Sequence, residues 1–193
     1  MLRDADLLTQ AAALGEPTMA EKRAALAALV LEVLRLHDAG FAVEERIRQG
    51  TLDGADRADR VALMGDPARY AEVDYAGEDE EATPAGYGAQ SVPGHAFRVR
   101  VWVGYADQST YAASSQALFD RVTESRTAAA PGLLHLLRVQ PYLTVATAGG
   151  GRTCELGRPA EVDVPELTVL SFSDGTQGRP ELAHQCAFTI TVR

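Results

Sequence analysis

Few residues in this chain have the type and spacing for chemistry. His184 and Cys186 stand two apart in "LAHQCAFTITVR", so on an extended strand both side chains leave the same face. Cys154, on another predicted strand, could complete a metal-ligating set. The paired Cys-x-x-Cys or His-x-x-x-His spacing of zinc sites is missing, however. The alternation of Leu182, His184, Cys186, Phe188, Ile190 and Val192 with polar residues reads instead as the apolar face of a strand. The two cysteines are the chain's whole complement, and both are expected to be reduced and metal-free.

Ser114 and Ser115 fall in a predicted helix, with His135 further on. A nucleophilic serine normally needs a strained elbow such as Gly-x-Ser-x-Gly, so these serines read as close-packing residues. "GGGR" at Gly149–Arg152 resembles a phosphate loop only in its glycines; it lacks Gly-Lys-Ser/Thr and opens no helix, which makes it a turn between strands. Glu78, Asp79, Glu80 and Glu81 offer four carboxylates to a hard cation but lack the alternate spacing of a calcium loop. His37 beside Asp38 ends a predicted helix, where a cation is favoured by the dipole without any acid–base role. No catalytic, metal-ligating or cofactor-holding residue is assigned, and the chain is not expected to be an enzyme.

Arg98, Arg100 and Trp102 are of another kind. They alternate with Phe97, Val99, Val101 and Val103 in "HAFRVRVWVGY", so they share the polar face of one strand. Two arginines and a tryptophan match the composition of protein–protein hot spots, and the three are read as a subunit or partner interface.

The elements that must position these residues follow from periodicity. Thr18 and Glu21 have capping-box spacing, and the helix behind them carries Leu26, Leu29, Val30, Val33 and Leu34 on one stripe up to Gly40. The period switches from 2 to 3.6 at Asp107 or Ser109, so the strand Phe97–Tyr105 feeds a helix from about Ser109 to Ser125. "PGLLHLLR" is a short helix with Pro131 at its start. "PYLTVATA", "ELTVLSFSD" and "LAHQCAFTITVR" are strands, and "RVALMG" is a weaker one. The order predicts α+β: an antiparallel or mixed sheet with a long N-terminal helix and a central amphipathic helix packed on it. Residues 1–193 read as one domain, with 1–17 an N-terminal arm and 66–94 an extended loop that includes Glu78–Glu81.

Composition limits the function. The chain has 193 residues, 46% of them hydrophobic, enough for one packed core. No apolar run approaches the ~20 residues that cross a bilayer. The start "MLRDADLLTQ" does not read as a signal peptide, so cytoplasmic synthesis and no membrane partner are expected. The 18 Lys and Arg face 27 Asp and Glu, a net charge of -9, with no basic cluster to grip nucleic acid.

The long helix ending "LHDAG", the strand "FRVRVWVGY" running into "STYAASSQALFDRV", the short "PGLLHLL" helix and the terminal "AFTITVR" together resemble the tail-terminator, or tail-to-head joining, proteins of long-tailed bacteriophages and related tailed particles. The resemblance spans Thr18 to Arg193 and is one of order and pattern. It implies a structural virion protein of the tail and neck, assembled in the host cytoplasm. Such a protein forms a homo-oligomeric ring, hexameric in this family. The ring caps the tail-tube protein, joins the head-completion or neck protein, and uses no cofactor. DNA passes through it without specific binding. Within such a ring, mutual repulsion of the four carboxylates Glu78, Asp79, Glu80 and Glu81 puts them where water or mobile cations surround them, lining the opening or facing a neighbouring ring, with an outer solvated loop as the competing placement. Another neck or tail ring protein, such as a head-completion adaptor or tail-tube subunit, is the alternative. A small-ligand-binding α+β domain or enzyme ranks below both.

Overall fold

The structure is a computed structural model that describes residues 15–46, 69–79, 94–104, 111–124, 126–127, 129–163, 166–170 and 181–193. The fold is α+β. Helix α1 spans Met19–His37. Strands β1 (Ala42–Arg46), β2 (Arg69–Asp79) and β3 (Gly94–Gly104) follow. Helix α2 covers Tyr111–Phe119 and continues into a π turn at Asp120–Glu124. Two short strands come next, β4 (Arg126–Thr127) and β5 (Ala130–Pro131), and then helix α3 (Leu133–Val139). The chain closes with the hairpin β6 (Tyr142–Thr147) and β7 (Gly150–Glu155), then β8 (Glu166–Leu170) and β9 (Glu181–Val192).

The main sheet has five strands in the order β1-β2-β3-β9-β8. It is mixed, because β1 runs parallel to β2 while every other neighbouring pair is antiparallel. β3 lies in the middle, as its alternation predicts. Phe97, Val99, Val101 and Val103 are buried and form one core with Leu26, Val30, Val33 and Leu34 of α1 and Leu118 and Val122 of α2. Burying a side chain of this size contributes ~1.5–3 kcal/mol, which is why the stripe and the alternation dominate the architecture. The α1 stripe is the predicted one, with Leu29 only partly buried at its margin.

The capping box forms as the spacing requires. The Glu21 N–H donates to Thr18 Oγ1 at 3.2 Å, and the Thr18 N–H donates to Glu21 Oε2 at 2.7 Å. This pull from the Thr18 donors holds the Glu21 carboxyl below its ordinary pKa. At the other end the Asp38 N–H closes the helix on Leu34 O, and His37 Nε2 lies 3.0 Å from Pro131 O.

Several expectations are corrected. The span 66–94, expected as an extended loop, contains the eleven-residue strand β2. The reason is visible in "YAEVDY": Ala71 and Val73 point into the core while Tyr70, Glu72 and Asp74 point away, an alternation masked in composition by its acids. Glu78 and Asp79 are strand residues opposite His95 and Gly94 rather than loop residues. A bulge between Tyr75 and Gly77 precedes them, and the φ of 137° at Gly77 is one that only glycine adopts readily. Pro131 lies in β5, with Gly132 as the cap of α3, so the proline stops short of the helix. Glu80, Glu81, Asp107, Ser109, "RVALMG" and the N-terminal arm up to residue 14 lie outside the described residues.

Candidate interaction surface

The sheet's second face is built from the cross-strand rows Asp74–Arg98–Thr189, Glu72–Arg100–Ala187 and Tyr70–Trp102–Gln185. All three predicted interface residues sit in these rows and all are engaged within the chain. Trp102 is buried; its Nε1–H donates to Gln185 Oε1 at 2.9 Å and its ring lies 5.6 Å from that of Tyr70. Arg100 leans towards β2, where Nη1 donates to Glu72 Oε2 at 3.1 Å and also to Asp74. Both of those carboxylates are buried.

Arg98 leans the opposite way. Its Nη2 donates to Asp163 Oδ2 at 2.6 Å and its Nη1 to Glu161 Oε2 at 3.1 Å. Thr189 joins the network, with its hydroxyl donating to the same Glu161 oxygen at 2.8 Å. This cluster exists because the segment after β7 runs along the edge of β9. The N–H groups of Gly157, Ala160 and Asp163 donate to Thr191, Thr189 and Ala187 O, each at 2.8 Å. Glu161 takes a φ of 48° within that run, the left-handed region that non-glycine residues seldom enter. Sequence reasoning missed Glu72, Asp74, Glu161 and Asp163. For the first pair the signal was the alternation in β2. For the second pair there was none, since the contact spans 65 residues.

A second concave feature lies on the helical side of the sheet. The solvent-facing side of α1 and strand β6 enclose an open groove of about 540 Å³. Ala24, Ala25, Ala28 and Leu29 form one wall, Leu143 and Ala146 the other, and the Glu21 and Glu32 carboxylates stand on the helix side. Small alanines keep that wall low, which leaves the groove open. Leu36, Val139 and Tyr142 are large apolar residues more than half exposed, and each lies close in sequence to a lining residue.

The other candidates separate. Cys186 pairs with Val101 in the main sheet, while Cys154 pairs with Leu143 in the hairpin. Both are free, buried thiols, and burial pushes their pKa up, that of Cys186 to about 11. The Cys186 thiol donates to Asp163 O at 3.1 Å. His184 is buried as its alternation predicts. Among the described residues no group of three or more His, Cys, Asp or Glu is placed to hold a metal ion. Ser114 is buried in α2; of "GGGR", expected as a turn, only Gly149 lies in the turn between β6 and β7, while Gly150, Gly151 and Arg152 pair in β7 opposite Thr147, Ala146 and Val145, and Thr147 Oγ1 donates to Gly150 O at 2.7 Å. Among the described residues no helix is long and apolar enough to cross a membrane.

No family model and no curated protein matches the chain. One solved chain, which carries no functional name, is similar at 12% identity over 91% of this chain and 96% of its own, with a TM-score of 0.36. No functional reading is carried across from it.

Proposed function

We propose that this chain is a structural ring protein of a tailed particle, a tail terminator that caps the tail tube and joins it to the neck. The observation that carries the reading is the order of elements around the sheet. Among the described residues a long capped helix comes first, a central strand β3 precedes α2, the short α3 follows, and the C-terminal β9 lies beside β3. That is the order on which the resemblance to tail terminators rests. A ring also needs a heterologous interface whose rotation closes, and the acidic-rimmed groove is one open surface that could serve it. The net charge of -9 would keep a passing duplex from adhering. In this reading Glu78–Glu81 border the opening or a neighbouring ring.

The test is the solution mass of the purified chain, alone and mixed with the particle's tail-tube protein. The expected result is a closed ring of six that ends tube growth and binds neck protein. Incorporation along tubes of unbounded length would make it a tube subunit, and binding to head proteins alone would make it an adaptor. A chain that stays monomeric in every mixture would remove the ring. Replacing Glu78–Glu81 by Lys is expected to leave assembly intact and to impair DNA passage.

A further inference from the structure

We propose that the outer edge of strand β6 in one copy pairs with the outer edge of strand β7 in the next copy, so that successive hairpins join into one antiparallel sheet. This inference rests on the ring reading above and names the edges that would close the ring.

The backbone fixes which groups are on offer. Glu155 and Arg193 exchange both backbone hydrogen bonds, at 3.0 and 2.9 Å, so Glu155 aims away from β6. In an antiparallel ladder this direction alternates along the strand, so Thr153 and Gly151 also aim outwards from β7. Their cross-strand partners Thr144 and Ala146 aim outwards from β6 on the other side. The same parity holds at Tyr142, whose outward carbonyl accepts from Gln140 Nε2 at 3.3 Å. Thr144 and Ala146 line the α1–β6 groove, so the outer edge of β6 opens into it. Among the described residues no backbone partner meets Thr144, Ala146, Gly151 or Thr153 on these outer sides. Open strand edges are a liability that native proteins cover, and a two-stranded hairpin is marginal by itself.

Direction selects the occupant. β6 and β7 run antiparallel and present opposite edges of one hairpin. Rotation about a single axis brings β7 of the next copy to β6 already antiparallel, and every hairpin gains a strand on each side. The contact joins two different edges, so it is heterologous and able to close a ring. Two β6 edges would instead bring two grooves together, with the Glu21 and Glu32 carboxylates facing their like.

The space and the faces agree with this. The helix wall of the groove is Ala24, Ala25 and Ala28, low enough for a strand to lie beside β6. On the incoming strand Gly151 carries no side chain, although a Cβ there would meet only Thr144 of its own copy, at an ordinary 3.5 Å. Glycine inside a strand suits the close approach of another backbone. Leu143, Val145 and Cys154 are buried on one face of the hairpin. Tyr142, Thr144, Ala146, Gly151, Thr153 and Glu155 are exposed on the other. The only charge among those six is Glu155, so the joined sheet would offer a passing duplex no cation to hold it.

The experiment uses the full chain and follows ring mass against protein concentration, with amide hydrogen exchange read residue by residue. The Thr144, Ala146, Gly151 and Thr153 amides are expected to exchange slowly in the wild-type ring and fast in the dissociated chain. Thr144→Pro and Thr153→Pro each remove one outward N–H and leave the inner ladder of the hairpin complete. Each is expected to keep the urea midpoint of the dissociated chain near wild type and to raise the concentration at which the ring falls apart by about tenfold. Mixing Ala146→Cys chains with Thr153→Cys chains and adding a short bismaleimide is expected to give crosslinked pairs that neither chain gives alone. A wild-type ring in which the four amides exchange as fast as in the dissociated chain, or one that neither proline weakens, overturns this inference and leaves the ring reading standing. Crosslinking within Ala146→Cys chains alone would show β6 packed on β6 and would also overturn it. Open tubes of unbounded length with the four amides protected would support the pairing and overturn the closed ring. A wild-type chain that never assembles overturns both.

Discussion

Arg98 Nη2 lies 2.6 Å from Asp163 Oδ2, and this contact fastens the centre of the sheet to a segment 65 residues away. Glu161 closes the same clamp from a strained backbone. Its side chain is 72% exposed and that of Asp163 47%, so each ion pair is worth little by itself. The clamp's effect is to fix the shape of that segment.

The strain at Glu161 separates two variants. Glu161→Ala keeps a Cβ at a φ of 48° and loses the bonds to Arg98 and Thr189. Glu161→Gly loses the same bonds and relieves the backbone. The glycine variant is expected to be more stable than the alanine variant by about 1 kcal/mol in chemical denaturation. The reverse order would mean that this backbone is not strained.

Removing the Arg100 cation should cost far more. Arg100→Met leaves Asp74, whose side chain is only 1% exposed, without its cation and takes the Arg100 bond from Glu72, which is 3% exposed. A buried charge left without its partner typically costs roughly 3–5 kcal/mol. Adding Glu72→Gln and Asp74→Asn to that variant is expected to recover a large part of the loss. Equal stability of Arg100→Met and wild type in urea would show that the triad is not buried as described.

His95 should make stability depend on mild acid. Burial first, and then the Lys22 cation, lower its pKa below 6.5, against a smaller opposing effect of Glu78. The unfolded chain therefore takes up a proton before the folded one does, so stability is full above pH 6.5 and declines as pH falls through and below that value. Urea midpoints measured from pH 7.5 down to 5.5 should show this decline, and His95→Gln should flatten it. An unchanged slope in the variant would assign the effect elsewhere.

Cys186 predicts behaviour at the alkaline end. Its folded pKa is pushed from 9.0 up to about 11, chiefly by burial and then by Asp163. Folding holds the proton that the unfolded chain releases, so this contribution to stability is present below pH 9 and is lost as pH rises towards 11. Because the thiolate is the reactive species, neither Cys186 nor the likewise raised Cys154 should react with a thiol reagent at pH 8 until urea is added. Rapid labelling of the native chain would contradict their burial.

The local elements were legible in the residue order. Thr18 and Glu21 announced their capping box, Leu26 to Leu34 their stripe, Phe97 to Val103 their central strand and "LAHQCAFTITVR" its apolar face, because each signal lies within one element and depends only on backbone geometry. The order of these elements likewise predicted an α+β fold. Strand β2 was readable in principle but hidden, since Glu72 and Asp74 resemble loop residues until Arg100 is placed beside them. Tertiary structure alone decided that Arg98, Arg100 and Trp102 turn to partners inside the chain, that β1 joins the sheet in parallel, and that α1 and β6 leave a groove between them. Those outcomes depend on residues tens of positions apart meeting across strands, and no short-range periodicity encodes which distant carboxylate an arginine will find.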